Sequence, residues 1–300
     1  MGSSNTDMVI KTQKFPAPGE TILGGDFFMT QGGKGANQAV AAKRCGGTVA
    51  FVGKIGNDIF GSKAMQHLEE EGISTRLVAT DPVKPSGVAM IMVDGKGENS
   101  IIVADSSNGS LSPEDIDRAA PELETAGIIL LQLEIPIDTV TYVAERAAQS
   151  GKTVILNPAP AAQLPDTLLK NVSLLIPNEN EAAQLTGVKV TDAASAEKAA
   201  LALKKKGVKT IVITMGSAGA FVLDDNFSGM IPSYQVEVVD STAAGDTFCG
   251  ALAAEISRGR DLKEALRFAT AAAAISVTRM GAQPSIPVEN EVREFLRQNR

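Results

Sequence analysis

The chain has 300 residues, 44% of them hydrophobic and 21% charged, enough to bury one large α/β core or two modest ones. A net charge of −7 without a long basic run argues against nucleic acid as a partner, and no apolar stretch approaches the ~18 residues that cross a bilayer, so no membrane partner is expected. The start lacks a secretory pattern, and Cys45 and Cys249 read as separate small hydrophobes, so the expected location is cytoplasmic.

In chain order, residues 8–31 carry short β-like runs among Pro16, Pro18, Gly19, Gly24 and Gly25. Gly32-Gly33-Lys34-Gly35-Ala36-Asn37 then opens a helix over 36–45. Its glycines allow positive φ and close backbone approach to a ligand, and Asn37 offers a donor and an acceptor. The P-loop spacing is absent, and an ordinary strand-to-helix turn would look the same. The one histidine, His67, lies on a charge-rich helix over 58–71 and is given no function. A single histidine nearly excludes a Ser-His-Asp triad or a histidine-rich metal site. Residues 86–104 read as a hairpin turned by Asp94-Gly95-Lys96-Gly97. Together, 8–31 and 86–104 predict a small antiparallel sheet, either a lid over a cleft or a plain peripheral hairpin.

From residue 127 the pattern is regular. Apolar strands at 127–133, 153–156, 172–176 and 210–214 alternate with helices at 137–150, 179–186 and 193–206. Such alternation predicts a mostly parallel sheet covered on both faces, a three-layer α/β/α Rossmann-like domain with the small sheet attached, all within 1–300. Ligands of such sheets gather at the carboxyl ends of the strands. Glu134 follows the first of these strands. Asn178 and Glu181 follow the third, three apart on the first turn of a helix. An amide and a carboxylate there suit Mg²⁺, and they equally suit a capping box. Thr214-Met215-Gly216-Ser217-Ala218-Gly219 follows the fourth strand and either cradles phosphates or joins two strands. After strand-like 234–239 comes Thr242-Ala243-Ala244-Gly245-Asp246, opening a helix to about residue 257. Small residues at a helix N-terminus let backbone N–H groups reach an anion. Asp246 is then either a general base or an acid that complements the helix dipole.

Four motifs in this order, Gly32-Gly33-Lys34-Gly35-Ala36-Asn37-Gln38-Ala39, Asn157-Pro158-Ala159-Pro160, Asn178-x-x-Glu181 and the run 240–248, resemble the ribokinase family of sugar and nucleoside kinases over the whole chain. The resemblance implies ATP-dependent phosphorylation of D-ribose at O5, with deoxyribose, fructose or adenosine as alternative acceptors. It implies that Asn5, Asp7, Gly33, Lys34, Gly35, Ala36, Asn37 and Glu134 bind the sugar. ATP would meet Asn178, Thr214, Met215, Gly216, Ser217, Ala218 and Gly219, with Thr270 near the adenine. Ala243, Ala244 and Gly245 would form the anion hole, with Asp246 as base. Mg²⁺ would be held by Glu181, and an activating K⁺ by Asp240, Thr242, Ser276, Arg279, Gly281 and Ser285. The resemblance also implies a homodimer clasped through the small sheets. The start at Met1-Gly2-Ser3 departs from the family pattern, and the strand leading into Asn5 and Asp7 is expected to be cut short.

Overall fold

The computed structural model describes residues 1–119 and 123–299. Its strands are β1 (Asn5–Lys11), β2 (Asp26–Gly32), β3 (Ala50–Gly56), β4 (Ser74–Asp81), β5 (Gly87–Val93), β6 (Asn99–Ala104), β7 (Ile128–Leu131), β8 (Thr153–Leu156), β9 (Leu174–Leu175), β10 (Thr210–Thr214), β11 (Ala220–Leu223) and β12 (Ser228–Ile231). The helices used below are α1 (Lys34–Arg44), α2 (Ile59–Glu70), α3 (Pro113–Arg118), α4 (Ile137–Gln149), α5 (Asp166–Leu169), α6 (Glu179–Thr186), α7 (Ala193–Lys205), α8 (Ala244–Ser257), α9 (Leu262–Ser276) and α10 (Glu289–Gln298).

The main sheet runs β12-β11-β10-β9-β8-β7, with β7 to β10 parallel and β11 and β12 antiparallel. Because side chains alternate across a strand, each strand feeds two cores. Val154, Leu156, Ile211 and Ile213 pack with α4 and α7, while Ile155 and Val212 pack on the other face with α8 and α9. This is the three-layer domain that the alternation of apolar runs and amphipathic helices predicts.

A parallel pair, β3-β4, stands apart from this sheet. Between its edge and β7, the Met1 amine donates to Leu130 O at 2.9 Å and Gly2 N–H to Val52 O at 3.0 Å. A groove of about 450 Å³ opens there, lined by Met1, Val49, Val52, Ile128 and Leu130 among others. The short leading segment thus bridges two sheets with two hydrogen bonds.

The small sheet has the order β2-β1-β5-β6. The expected antiparallel arrangement is corrected in one place, since β1 pairs with β5 in parallel. The segments 8–31 and 86–104 supply its strands, but β1 begins at Asn5 and β2 ends at Gly32. Asn5 and Asp7, expected to bind a ligand, are therefore part of this sheet. A second correction concerns 234–239, which forms no strand. The N–H groups of Val239 and Asp240 both turn to Val277 O, at the end of α9, instead of a ladder partner. Among the described residues no helix is long and apolar enough to cross a membrane.

Candidate active site

Helices α1 and α8 set the geometry, because they touch at backbone level. Gly250 of α8 lies so close that a Cβ there would sit 2.4 Å from Gln38 O and 2.5 Å from Ala41 Cβ. The glycine turn before α1 is equally tight: Gly33 has φ of 87°, and a Cβ on it would approach Asn5 N to 2.8 Å. Only glycine accepts both conditions without strain. Helix α1 is thereby pressed between the start of β1 and the middle of α8.

Asp246, in the first turn of α8, is buried, and its carboxylate is gripped from α1. Asn37 Nδ2 donates to Oδ2 at 3.0 Å and Gln38 Nε2 to Oδ1 at 2.9 Å. Burial pushes the Asp246 carboxyl up, while Lys34 and the two amide donors pull it down; the net direction is upward. Behind it, Ala244 N–H bonds Ser241 O and Thr247 N–H bonds Ala243 O. Among the described residues, the N–H groups of Gly245 and Asp246 have no protein acceptor. Two free donors at a helix start suit an anion. Ala243, the N-cap, has the left-handed φ of 60°.

A cavity of about 220 Å³ joins Lys34, Asn178, Glu181, Thr214 and the turn Ala243–Asp246. Burial lowers the Lys34 ammonium, but the carboxylates of Asp246, Glu134 and Glu181 outweigh it and leave the group above its ordinary value. Burial pushes Asp7 up to about 7, with Glu134 and Asp246 adding to the effect. Glu134 Oε2 accepts from Lys34 N–H at 2.9 Å and from Ser3 Oγ at 2.6 Å. Asn5 is buried and accepts from Asn108 Nδ2 at 2.8 Å. Asp7, Lys34, Asn37, Glu134 and Asp246 thus form one charged and polar cluster, and Asn5 and Glu134 line a neighbouring cavity of about 480 Å³.

The capping box expected as one reading of Asn178 and Glu181 is present. Glu181 N–H donates to Asn178 Oδ1 at 2.8 Å, and Asn178 N–H to Glu181 Oε2 at 2.9 Å. Burial also raises the Glu181 carboxyl, against the Asn178 N–H bond and Lys34. It still faces the cavity, so the cap does not remove it from use. Of the turn 214–219, only Thr214 lines that cavity, while Gly216, Ser217 and Ala218 are exposed. Met215 N–H closes the turn on Gly219 O at 2.7 Å. Thr270 is buried in α9 with its hydroxyl on Leu266 O at 2.8 Å, and it does not line the cavity.

The loop before α8 is tied to the loop after α9. Asp240 Oδ1 accepts from Thr242 N–H at 2.9 Å and Thr242 Oγ1 at 2.6 Å, while Oδ2 accepts from Gly281 N–H at 2.8 Å. Burial raises the Asp240 carboxyl, but these donors outweigh it and hold it below the usual range. Ser276 O accepts from Arg279 N–H, whose side chain pairs with Glu291 at 2.6 Å. Ser285 is fully buried with its hydroxyl on Ala282 O. Three groups carry the site without having been assigned a role from sequence: Gln38, Asn157 and Asn108. Gln38 and Asn157 stand inside quoted motifs, and Gln38 Nε2 reaches Asn157 Oδ1 at 3.0 Å. Asn108 has no local signal, since only the fold brings it to Asn5.

The family model described as pfkB family carbohydrate kinase matches residues 1–289. The chain is 43% identical to a ribokinase of Haemophilus influenzae over 296 residues, covering 99% of this chain and 97% of that protein. It is 38% identical to a deoxyribokinase of Salmonella typhi over 300 residues, covering 100% and 98%. A solved ribokinase of Arabidopsis thaliana, complexed with ribose and ATP, superposes with a TM-score of 0.89 at 32% identity, over 98% of this chain and 96% of that one.

Proposed function

Because the chain belongs to the pfkB family of carbohydrate kinases, we propose that it transfers the γ-phosphoryl group of ATP to O5 of D-ribose, giving D-ribose 5-phosphate and ADP. The observation that carries this reading is the buried Asp246 carboxylate beside the two free N–H groups at the start of α8. The named substrates of the Arabidopsis relative support ribose and ATP as the ligands.

Asn5, Asp7, Lys34, Asn37 and Glu134, beside the Gly33 turn, hold the sugar hydroxyls and present O5 to Asp246, while the Gly35 and Ala36 N–H groups are taken by Ser3 and brace the turn. As O5 attacks the γ-phosphorus, Asp246 accepts its proton and the bond to the ADP oxygen breaks. The N–H groups of Gly245 and its neighbours, with Lys34, face the charge that spreads over the transferring group. Asn178 and Thr214 border the nucleotide, with the turn 215–219 and Thr270 further out. Glu181 suits Mg²⁺, one carboxylate being enough for an ion that keeps waters and phosphate oxygens; bound there it would offset phosphate charge. Asp240, Thr242, Ser276, Arg279, Gly281 and Ser285 would offer oxygens to K⁺ from the two loops that Asp240 ties together. The segments 8–31 and 86–104 act as a lid on the single domain. Ile10, Phe27, Met29, Met90 and Ile102 are exposed on one face of that sheet, and such a patch favours a homodimer through it, checked by sedimentation. Two buried unpaired cysteines fit a reducing compartment such as the cytoplasm.

The test is ADP release with ribose, 2-deoxyribose, fructose and adenosine, with and without K⁺. Ribose is expected to give the highest kcat/KM; no sugar-dependent ADP would overturn the reading. The deoxyribokinase similarity supports 2-deoxyribose as the second reading, which a higher kcat/KM on that sugar would establish. Asp246→Asn should lose at least about a hundredfold in kcat with little change in ribose KM. Wild-type turnover in that variant would remove Asp246 as the base.

A further inference from the structure

The hydrogen bonds that leave the Asp246 carboxylate do not stop at α1. Asn37 has its Nδ2 on the carboxylate, so its Oδ1 points the other way, and there Gln283 Nε2 donates to it at 3.1 Å. Gln283 presents its own Oε1 to His67 Nε2 at 2.7 Å. The four groups come from four separate pieces of chain: α8, α1, the short 3₁₀ turn Gln283–Ser285 and α2. Gln283 is 2% exposed and Asn37 is 6% exposed, so neither amide can turn to water instead.

The chain has one direction. An ionised carboxylate only accepts, so Asn37 must aim its N–H group inward. Its oxygen then needs a donor, which is Gln283 Nε2. The Gln283 oxygen needs one in turn, which is His67 Nε2–H. Both the Nε2–H tautomer and the imidazolium donate at this point, so the link holds in either charge state.

Building on the assignment of Asp246 as base, we propose that Gln283 and His67 are positioning residues for phosphoryl transfer, locking Asn37 in the amide orientation that points its N–H at Asp246. The alternative orientation of Asn37 places its oxygen against the carboxylate, where two acceptors repel. Gln283 closes that alternative, because its N–H group would then face the Asn37 N–H group. Gln38, the other amide on Asp246, is braced in the same manner by Gln132 Nε2 at 2.5 Å on its oxygen. Both donors to the base are therefore held from behind by a second buried glutamine.

The experiment compares Gln283→Met, Gln283→Glu, His67→Gln and His67→Leu in the full chain. Gln283→Met keeps the volume and leaves Asn37 Oδ1 unpaired, which should lower kcat at least about fivefold. Gln283→Glu should lower it further, since a carboxylate accepts from both His67 and Asn37 and draws the Asn37 N–H group away from Asp246. His67→Gln retains a donor and should keep kcat within about twofold, whereas His67→Leu should not. With the Asn37 bond weakened, the acid limb of the kcat profile should move to higher pH in both Gln283 variants. The other titratable groups around Asp246, namely Lys34, Glu134, Glu181, Asp7 and Cys249, are unchanged in all four. Melting temperatures and NMR of the Asn37 side-chain amide and the Asp246 carboxyl provide readouts that need no turnover. Should the wild type fail to phosphorylate ribose, the assignment of substrate falls, and the NMR shifts still decide the relay. Unchanged Asn37 and Asp246 signals in folded Gln283→Glu would overturn the proposal. So would equal kcat losses in His67→Gln and His67→Leu.

Discussion

Gly250→Ala sets two effects of opposite sign against each other. Alanine in a helix interior is favoured over glycine by about 0.5–1 kcal/mol. Against that, the added Cβ would meet Gln38 O at 2.4 Å, Ala41 Cβ at 2.5 Å and Ala42 N at 2.7 Å. Two of these atoms are backbone and the third is a Cβ, so none can swing aside, and α1 must move away by about 1 Å. Overpacking of this kind costs about 1–3 kcal/mol, so the contact wins or breaks even, and the melting temperature should fall by a few degrees. Activity should suffer more. Asn37 and Gln38 ride on α1 and bond Asp246 of α8 at 3.0 and 2.9 Å. An added ~1 Å takes both beyond hydrogen-bond range, and misplacement on that scale costs about a hundredfold in rate. The assay pairs a thermal melt with kcat for ribose-dependent ADP release. Gly127→Ala is the control, since a Cβ there meets nothing within 4 Å. A Gly250→Ala enzyme with raised melting temperature and wild-type kcat would show that helix preference prevails and that this contact does not set the geometry of the base.

Asp7→Asn should stabilise the ligand-free protein at pH 8 and not at pH 4. Its carboxyl is held at about 7 against an ordinary 3.8, so between these values the folded state binds the proton that the unfolded state has lost. Stability therefore falls as pH rises across that window, by at most about 4 kcal/mol before solvent screening, and the substitution removes the fall; melts from pH 4 to 8 report it. Glu181→Gln keeps the capping bond from the Asn178 N–H group but loses the acceptor that Asn178 Nδ2 has at 3.0 Å, so stability should fall by about 0.5–1.5 kcal/mol. The Mg²⁺ concentration for half-maximal rate should rise about tenfold or more in an Mg²⁺ titration; an unchanged titration would leave Glu181 as a cap alone.

The domain was legible where local pattern and tertiary demand coincide. Ile211, Val212 and Ile213 form a continuous apolar run because the sheet is covered on both faces, and β10 falls at the expected residues. Residues 234–239 show the limit: their sequence is strand-like, but they join no strand, and Val277 O takes the N–H group of Val239. The glycine turns announced close approach, and Gly33 and α1 bear that out. What pattern could not announce is contact across distance. Asn108 on Asn5 and Gln283 on Asn37 join residues 103 and 246 apart in the chain. His67 reads from sequence as one more residue of a charge-rich helix, and its partner is an amide 216 residues away.

Asn5 and Asp7 lie at the start of strand β1, at the candidate site, and the same unbroken strand continues to Lys11 at the far side of the small sheet. At about 3.3 Å per residue, roughly 13 Å separates Asp7 from Lys11 without a joint. Because β1 is paired along its whole length with β2 and β5, a shift at Asp7 would carry all three strands out to Lys11. On the proposed role of Asp7 in holding the sugar, substitutions at that remote end would then alter sugar affinity.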